Sequence, residues 1–187
     1  HMLWSRLVAA GFERGRAAQL IQLNIRLGDD LFLEAGRIRA IRAYWHAITD
    51  TGEPWIHAET VTDHDAPSPY DNLIRATLQA IAAITGGCDS LCITTPNLPE
   101  GPSLARRATR NIHHLLRDES FLARVTDPLG GSFSVEALTD ALVRTYNDGM
   151  GRSAGGDEEV LPSSPSPTST DITNREGITI KSHYTRV

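Results

Sequence analysis

Within the strand predicted over residues 20–27, apolar and polar residues alternate strictly from Ile21 to Leu27, which is the period of a β-strand with two unlike faces. One face carries Ile21, Leu23, Ile25 and Leu27, and the other carries Gln22, Asn24 and Arg26. Gly28 ends the strand, and Asp29 or Asp30 can cap the helix that follows. The pattern predicts a strand with an apolar side for packing and an unusually polar opposite side.

Apolar residues three or four positions apart predict long amphipathic helices between and after the strands. The helix predicted over residues 30–49 has its apolar stripe at Leu31, Ala35, Ile38, Ile41, Trp45 and Ile48. The helix predicted over residues 70–85 has its stripe at Ile74, Thr77, Ile81 and Ile84, and the glycine pair 86–87 stops it. Other helices are expected over residues 3–19, ending at Gly11 or Gly15, over 103–117 with Ser103 as cap, and over 134–148.

Two further strands are predicted over residues 55–61 and 90–95, each separated from the preceding strand by a helix. Strand–helix alternation of this kind predicts an α/β fold with a parallel sheet. Three strands are too few to close a barrel, and natural proteins usually pair or cover a free sheet edge. The pattern therefore predicts part of a larger structure.

Net charge, the length of apolar runs and the number of cysteines argue against some classes of protein, but they do not indicate a particular function. The 187 residues carry a net charge of −5, which offers no basic surface for nucleic acid. No apolar run reaches the ~18 residues of a membrane span and no charged-then-apolar leader is present, so we expect a cytoplasmic protein. Cys88 and Cys92 are expected to be buried structural thiols, and residues 63–65 (DHD) a solvated loop, so no metal site is predicted.

The composition changes after residue 150. Residues 151–170 are rich in Ser, Pro and Gly and poor in apolar residues, which is typical of a linker. Residues 171–187 regain β-branched and aromatic residues, and we expect a C-terminal arm that docks on another surface. The expected organisation is a domain over residues 3–150 followed by this linker and arm.

Five segments of the domain resemble the catalytic chain of the methylmalonyl-CoA mutase family. They are FLEAGRIRAIRAYW (32–45), IHAETVT (56–62), YDNLIRATLQAIAAITGGCDSL (70–91), LARRATRNIHHLLRDES (104–120) and ARVTDPLGGSFSVEALTDAL (123–142). The resemblance implies that the domain forms strands six to eight of a (β/α)8 TIM barrel, with their helices. It also implies an acyl-CoA substrate, adenosylcobalamin as the cofactor, and a radical 1,2-rearrangement.

The resemblance further implies a partner. The first five barrel strands and the cobalamin domain of the family have no counterpart in this sequence, so we expect a complementary mutase chain to supply them. REGITIKSHYT (175–185) is similar to the EGI-x-x-K-x-x-YT motif near the start of the mutase chain, which suggests a gene split inside the barrel.

The second strand carries the main candidates for chemistry. Trp55, His57 and Glu59 share one face, and a His with a nearby Glu can do general acid–base work or bind an acyl carbonyl. The resembled family usually has an Arg and a Ser or His here for CoA and thioester contacts; His57 matches, whereas Trp55 stands where the Arg would be. We predict His57 and Glu59 as catalytic residues and Trp55 as a substrate-binding residue.

The remaining substrate-binding candidates lie on the first and third strands. Gln22, Asn24 and Arg26 would point into the barrel, where they either bind a polar substrate or the partner, or are satisfied hydrogen-bonding groups of a wet interior. Thr94 and Asn97 end the third strand at the same barrel mouth.

Two residues near the start of the last predicted helix are candidates for cofactor binding. By resemblance, Glu136 and Ala137 match positions that contact the corrin ring, although a Glu in the first turn is also favoured by the helix dipole. Three hypotheses remain open: a subunit of a split adenosylcobalamin-dependent mutase, a catalytically inert docking subunit, and a stand-alone domain that dimerises to cover its sheet edge.

Overall fold

The computed structural model describes residues 2–49, 53–63, 66–153, 172–173 and 179–180. The chain divides into two compact units, residues 1–155 and 156–187. In the second unit, the described residues form two antiparallel strands, Ile172–Thr173 and Thr179–Ile180. The linker was predicted over residues 151–170, but residues 151–153 belong to the last helix of the first unit; residues 154–170 and the rest of the arm lie outside the described residues.

The first unit is built on three parallel strands flanked by helices, which confirms the α/β prediction. The strands are β1 (Gln22–Arg26), β2 (Trp55–Glu59) and β3 (Ser90–Cys92), in that spatial order. All three are shorter than predicted: β1 is trimmed at both ends, whereas β2 and β3 begin as predicted and end early at Glu59 and Cys92. Two backbone hydrogen bonds extend the pairing, from Leu27 N to Glu59 O at 3.0 Å and from Thr60 N to Cys92 O at 3.1 Å.

The helices of the first unit are α1 (Met2–Ala9), α2 (Arg14–Gln19), α3 (Leu31–Thr49), α4 (Asp71–Gly86), α5 (Pro102–His114) and α6 (Phe133–Ser153). Asp30 caps α3 by accepting a hydrogen bond from Leu33 N at 2.9 Å, and Gly87 ends α4 in the left-handed conformation, both as predicted. No helix among these described residues is long and apolar enough to cross a membrane.

The apolar face of the sheet packs against α3 and α4. The central cluster consists of Ile25, Leu27, Ile38, Ile56, Ala58 and Ala83. The two helices approach very closely at Gly86, where an added Cβ would lie 2.9 Å from the backbone oxygen of Ala35. A second cluster beside the first strand joins α1, α2 and α3 through Trp4, Ala17, Ala18, Ile21 and Trp45.

The predicted apolar stripe of α4 is wrong at Ile74, which is 65% exposed. The buried side of α4 instead carries Asn72, Ala76, Gln79, Ala80 and Ala83. Small residues are needed there because α4 lies close to its neighbours, and the two amides bind loop backbone. Apolar spacing alone does not identify such a face.

Three other local predictions are wrong. Residues 3–19 form two helices, because Gly11 turns the chain with a φ of 95° and Glu13 caps α2 by accepting from Gly15 N and Arg16 N. Ser103 does not cap α5, since the helix begins at Pro102 after Gly101. That helix ends at His114 and continues as a π-helical turn over Leu115–Glu119.

A single guanidinium joins the amino ends of β2 and β3. Arg42 donates to Pro54 O at 3.3 Å, to Gly87 O at 2.7 Å, and to the carboxylates of Glu53 and Asp89 at 3.0 and 2.9 Å. The same Asp89 carboxylate accepts from Ile56 N at 2.8 Å. Arg42 therefore fixes the relation of the two strands at the rim opposite their carboxyl ends.

Candidate functional site

The face of the sheet opposite α3 and α4 is polar and open. We call it the open face; its residues are Gln22, Asn24, Arg26, Trp55, His57, Glu59, Ser90 and Cys92. Trp55 is 53% exposed, and His57, Glu59 and Ser90 are half-buried. The exposure of these side chains means that no described element of the first unit covers them.

The strand register arranges the open face in rows. Gln22 lies beside Trp55 in the first row. The second row contains Asn24, His57 and Ser90, and the third contains Arg26, Glu59 and Cys92 at the carboxyl ends of the strands. Rows of side chains from neighbouring strands are the arrangement that fills the interior of a parallel barrel. The structure thus brings together six of the predicted site residues.

His57 has its hydrogen-bond partner on the next strand. Its Nδ1 lies 2.8 Å from Ser90 Oγ, and the same oxygen accepts from the indole N–H of Trp55 at 3.2 Å. Ser90 was not among the sequence candidates, because its role depends on the pairing of His57 with Ser90 across β2 and β3. Its position at the start of a predicted strand was the available signal.

His57 and Glu59 are not hydrogen-bonded to each other. Residues two apart on a strand are separated by about 6.6 Å along it, so these side chains occupy successive rows. Neither Glu59 nor Arg26 has an ion-pair partner among the described residues, although they are neighbours in the third row. The face therefore presents a cation and a carboxylate side by side, with the imidazole one row away.

Some of the polar groups of β1 already have hydrogen-bond partners within the first unit. Gln22 donates to the side-chain oxygen of Asn24 at 2.6 Å, and the Arg26 carbonyl accepts from Arg37 at 2.5 Å. The remaining amide groups of Gln22 and Asn24 face the exposed side. This arrangement fits both predicted roles of these residues, a polar lining and a contact surface.

The carboxyl-end loops after β1 and β2 are tied to α4 by a buried amide. Gln79 donates to Leu27 O at 3.2 Å and accepts from Val61 N at 2.9 Å. Arg75 adds ion pairs to both loops, with Asp29 at 2.5 Å and Asp63 at 3.0 Å. The rim of the open face is therefore held rigid by groups that the sequence analysis did not single out.

Thr94 and Asn97 differ in how they face this rim. Thr94 is half-buried, donates from its hydroxyl to Thr60 O at 2.5 Å, and has its N–H bonded to Thr60 Oγ1 at 2.9 Å. The hydroxyl proton of Thr94 is therefore already used in a hydrogen bond and is not available to a ligand. Asn97 is exposed on the loop after β3. Substrate contact by either residue stays a prediction.

Glu136 is part of an ion-pair network on the α3 side of the molecule. Its Oε1 accepts from Arg39 at 2.8 Å and from Gly131 N at 3.3 Å, and Arg39 also pairs with Asp127 at 2.6 Å. The Arg39 guanidinium lowers the pKa of Asp127. Ala137 is exposed.

The contacts of Glu136 are made within the first unit. Its Oε1 accepts from both Arg39 and Gly131 N, so this oxygen is engaged in the fold and not prepared for a corrin ring. The cofactor contact of Glu136 and Ala137 stays a prediction without support from this geometry.

The two thiols differ from each other. Cys88 is half-buried against the central cluster, where burial raises the pKa of its thiol to about 11. Cys92 is exposed on the open face, so the prediction of a buried structural thiol is wrong for it. Within the described part of the chain, no three His, Cys, Asp or Glu side chains are grouped to hold a metal, and His64 and Asp65 of the DHD loop lie outside that part.

A parallel α/β sheet with helices on one side and a polar row arrangement on the other defines a segment of a barrel-type α/β protein. Residues 4–156 match the family model for methylmalonyl-CoA mutase. The chain therefore belongs to the methylmalonyl-CoA mutase family, and its three-stranded sheet is consistent with a partial barrel of that family.

Curated relatives agree with this assignment. The chain is 35% identical over 155 residues to the probable methylmalonyl-CoA mutase small subunit of Mycobacterium tuberculosis (strain ATCC 25618 / H37Rv), covering 74% of this chain and 25% of the relative. It is 32% identical over 151 residues to the methylmalonyl-CoA mutase of Escherichia coli (strain K12), covering 73% and 21%. For the small subunit of Propionibacterium freudenreichii subsp. shermanii, the identity is 32% over 149 residues, covering 73% and 23%. The chain spans about a quarter of the length of these relatives.

Proposed function

We propose that this chain contributes three strands to the substrate barrel of an adenosylcobalamin-dependent carbon-skeleton mutase of the methylmalonyl-CoA type. A complementary mutase chain supplies the other strands and the cobalamin domain. The completed barrel rearranges an acyl-CoA or a related acid by radical chemistry. The observation that carries this proposal is the open face, a polar and aromatic sheet surface that no described element of the first unit covers.

The physical argument rests on the two faces of the sheet. The apolar face is fully packed by α3 and α4, as it would be in a complete barrel. The opposite face exposes an indole, an imidazole, and a cation and a carboxylate that lie side by side without an ion pair. Relatives named as small subunits of the mutase support a second subunit as the complement.

Each group of the open face has a role in this proposal. His57 contacts the acyl carbonyl, and Arg26 provides a positive charge for an anionic group of the substrate. Glu59 beside Arg26 orients that guanidinium, and Trp55 excludes water from the first row. Adenosylcobalamin, which would supply the radical chemistry, is held by the complementary chain, as the cobalamin domain of the resembled family implies.

Cys92 provides a direct test of the assembly, because its exposed thiol lies in the third row of the open face. The Cys88→Ser variant is mixed with a purified mutase chain that carries the front part of the barrel and the cobalamin domain. We expect the rate of Cys92 labelling to fall at least tenfold when the barrel closes.

A matched control places the reporter on the outside of the molecule. Arg107 is exposed on α5, so Arg107→Cys in a chain lacking both native thiols should label at the same rate with and without the partner. Unchanged labelling of Cys92 would refute barrel completion. Isomerisation of methylmalonyl-CoA by the mixture with adenosylcobalamin then tests the chemistry.

A catalytically inert docking subunit is the second candidate, and the indole of Trp55 favours it. This large side chain occupies the open face where the resembled family usually has an Arg. Protection of Cys92 without isomerisation of any acyl-CoA by the assembled complex would support this candidate over the enzyme.

A further inference from the structure

Ser90 is the centre of a three-residue cluster on the open face. Its hydroxyl oxygen lies 3.2 Å from the indole nitrogen of Trp55 and 2.8 Å from Nδ1 of His57. Trp55 and His57 share β2, whereas Ser90 begins β3, so the cluster forms only when the two strands are paired in this register. The Arg42 network at the amino rim fixes that register.

Counting donors and acceptors identifies the direction of the hydrogen bond between Ser90 and His57 that pairs every group of the cluster. An indole N–H can only donate, and a serine hydroxyl has one proton and two acceptor positions. Trp55 therefore fills one acceptor position of Ser90 Oγ. If Nδ1 instead donated to the second acceptor position, the Ser90 proton would have no acceptor among the described residues; donation from Ser90 to Nδ1 pairs all three groups.

We infer that Ser90 is a positioning residue that holds neutral His57 with its proton on Nε2 and thereby makes His57 a hydrogen-bond donor to the open face. An imidazole that accepts at one nitrogen must carry its proton on the other. His57 Nε2 has no partner among the described residues, so its N–H is available to a ligand.

The chemical class of that ligand follows from the donor, and this step rests on the proposed function. A neutral Nε2–H suits an uncharged acceptor oxygen. In an acyl-CoA these include the thioester carbonyl and the two amide carbonyls of the pantetheine arm, and we assign the thioester carbonyl to His57. His57 would then polarise and orient this carbonyl. It would not abstract a proton, because the nitrogen that faces the ligand is already protonated.

The tautomer can be measured on the full chain without any partner. Two-bond proton–nitrogen NMR correlation at about pH 8.5, where an imidazole is neutral, distinguishes the two tautomers. His57→Gln assigns the signal, and the exposed His46 of α3 serves as an internal reference. We expect wild-type His57 to be protonated at Nε2 alone, and His46 to show the mixture of a free imidazole.

Ser90→Ala should shift His57 toward the pattern of His46, and Ser90→Thr, which keeps a hydroxyl, should restore the single tautomer. Far-ultraviolet circular dichroism verifies that both variants are folded. Protonation of wild-type His57 at Nδ1, or an unchanged tautomer in Ser90→Ala, would overturn the inference and leave the barrel proposal standing.

The ligand class has a separate test in the assembled complex. Ser90→Ala should weaken binding of an acyl-CoA thioester by about 2- to 10-fold, the usual effect of one hydrogen bond, and leave binding of a CoA thioether without the carbonyl unchanged. Equal losses for both compounds would overturn the carbonyl contact. Failure of the complex to form would instead refute the proposed function while the NMR result stands.

Discussion

Replacing Gly86 by Ala tests how closely α3 and α4 pack. The new Cβ would lie 2.9 Å from Ala35 O, 3.0 Å from Ala35 Cα and 3.1 Å from Ile38 Cβ. Two of these atoms belong to the backbone of α3, so relief requires that one helix move. Overpacking of this kind costs about 1–3 kcal/mol, whereas the better helix propensity of Ala returns at most about 1 kcal/mol. We expect a net loss of about 1–2 kcal/mol in the free energy of unfolding.

Urea denaturation measures this loss. With a slope near 2 kcal/mol per molar urea, the midpoint of the Gly86→Ala variant should fall by about 0.5–1 M. Gly149→Ala is the matched control, because Gly149 lies within α6 and an added Cβ there meets nothing within 4 Å. The control should equal or exceed the wild-type midpoint. A Gly86→Ala midpoint at or above wild type would refute the close approach of the two helices.

Three further results are expected. Gln79→Leu leaves Val61 N–H and Leu27 C=O without partners, so unfolding free energy should drop by about 2–4 kcal/mol in urea titration, whereas Leu78→Gln on the exposed side should be neutral. Burial raises the pKa of Glu34, so the folded chain binds more protons than the unfolded chain, and stability falls as the pH rises above the ordinary carboxyl pKa. In urea titrations at increasing pH, Glu34→Gln should lack this fall, and parallel curves for the two chains would contradict it. Exposed Cys92 should react quickly with a thiol reagent near pH 7.5 and Cys88 slowly, so that Cys92→Ser removes the fast phase and Cys88→Ser keeps it.

The alternation of residues 21–27 was sufficient to predict the first strand and its two faces. Ile25 and Leu27 enter the core while Asn24 and Arg26 lie on the open face, since side-chain direction in a strand depends only on sequence parity. The α4 stripe could not be predicted in the same way. Its buried side is selected by close approach at Gly86 and by backbone groups of two loops, which are properties of the assembled fold.

The candidate site was predictable along each strand but not across strands. Trp55, His57 and Glu59 could be placed on one face by parity alone. The partner of His57 could not, because the contact with Ser90 requires the register between β2 and β3, which is set by Arg42 and Asp89 at the opposite rim. The pairing of Glu136 with Arg39, 97 positions apart, could not be predicted either, because it depends on how α6 lies against α3.

The Arg42 network also affects the thermodynamics of association. Because one guanidinium already holds Gly87, Asp89 and Pro54 in place, strands β2 and β3 are ordered relative to each other before any other strand is added. In the proposed assembly, the complementary chain therefore meets a template of fixed geometry, and less conformational entropy is lost on binding. Arg42→Ala should therefore raise the dissociation constant of the complex, as measured by titration of the partner chain, although Arg42 lies at the rim opposite the carboxyl ends of the strands.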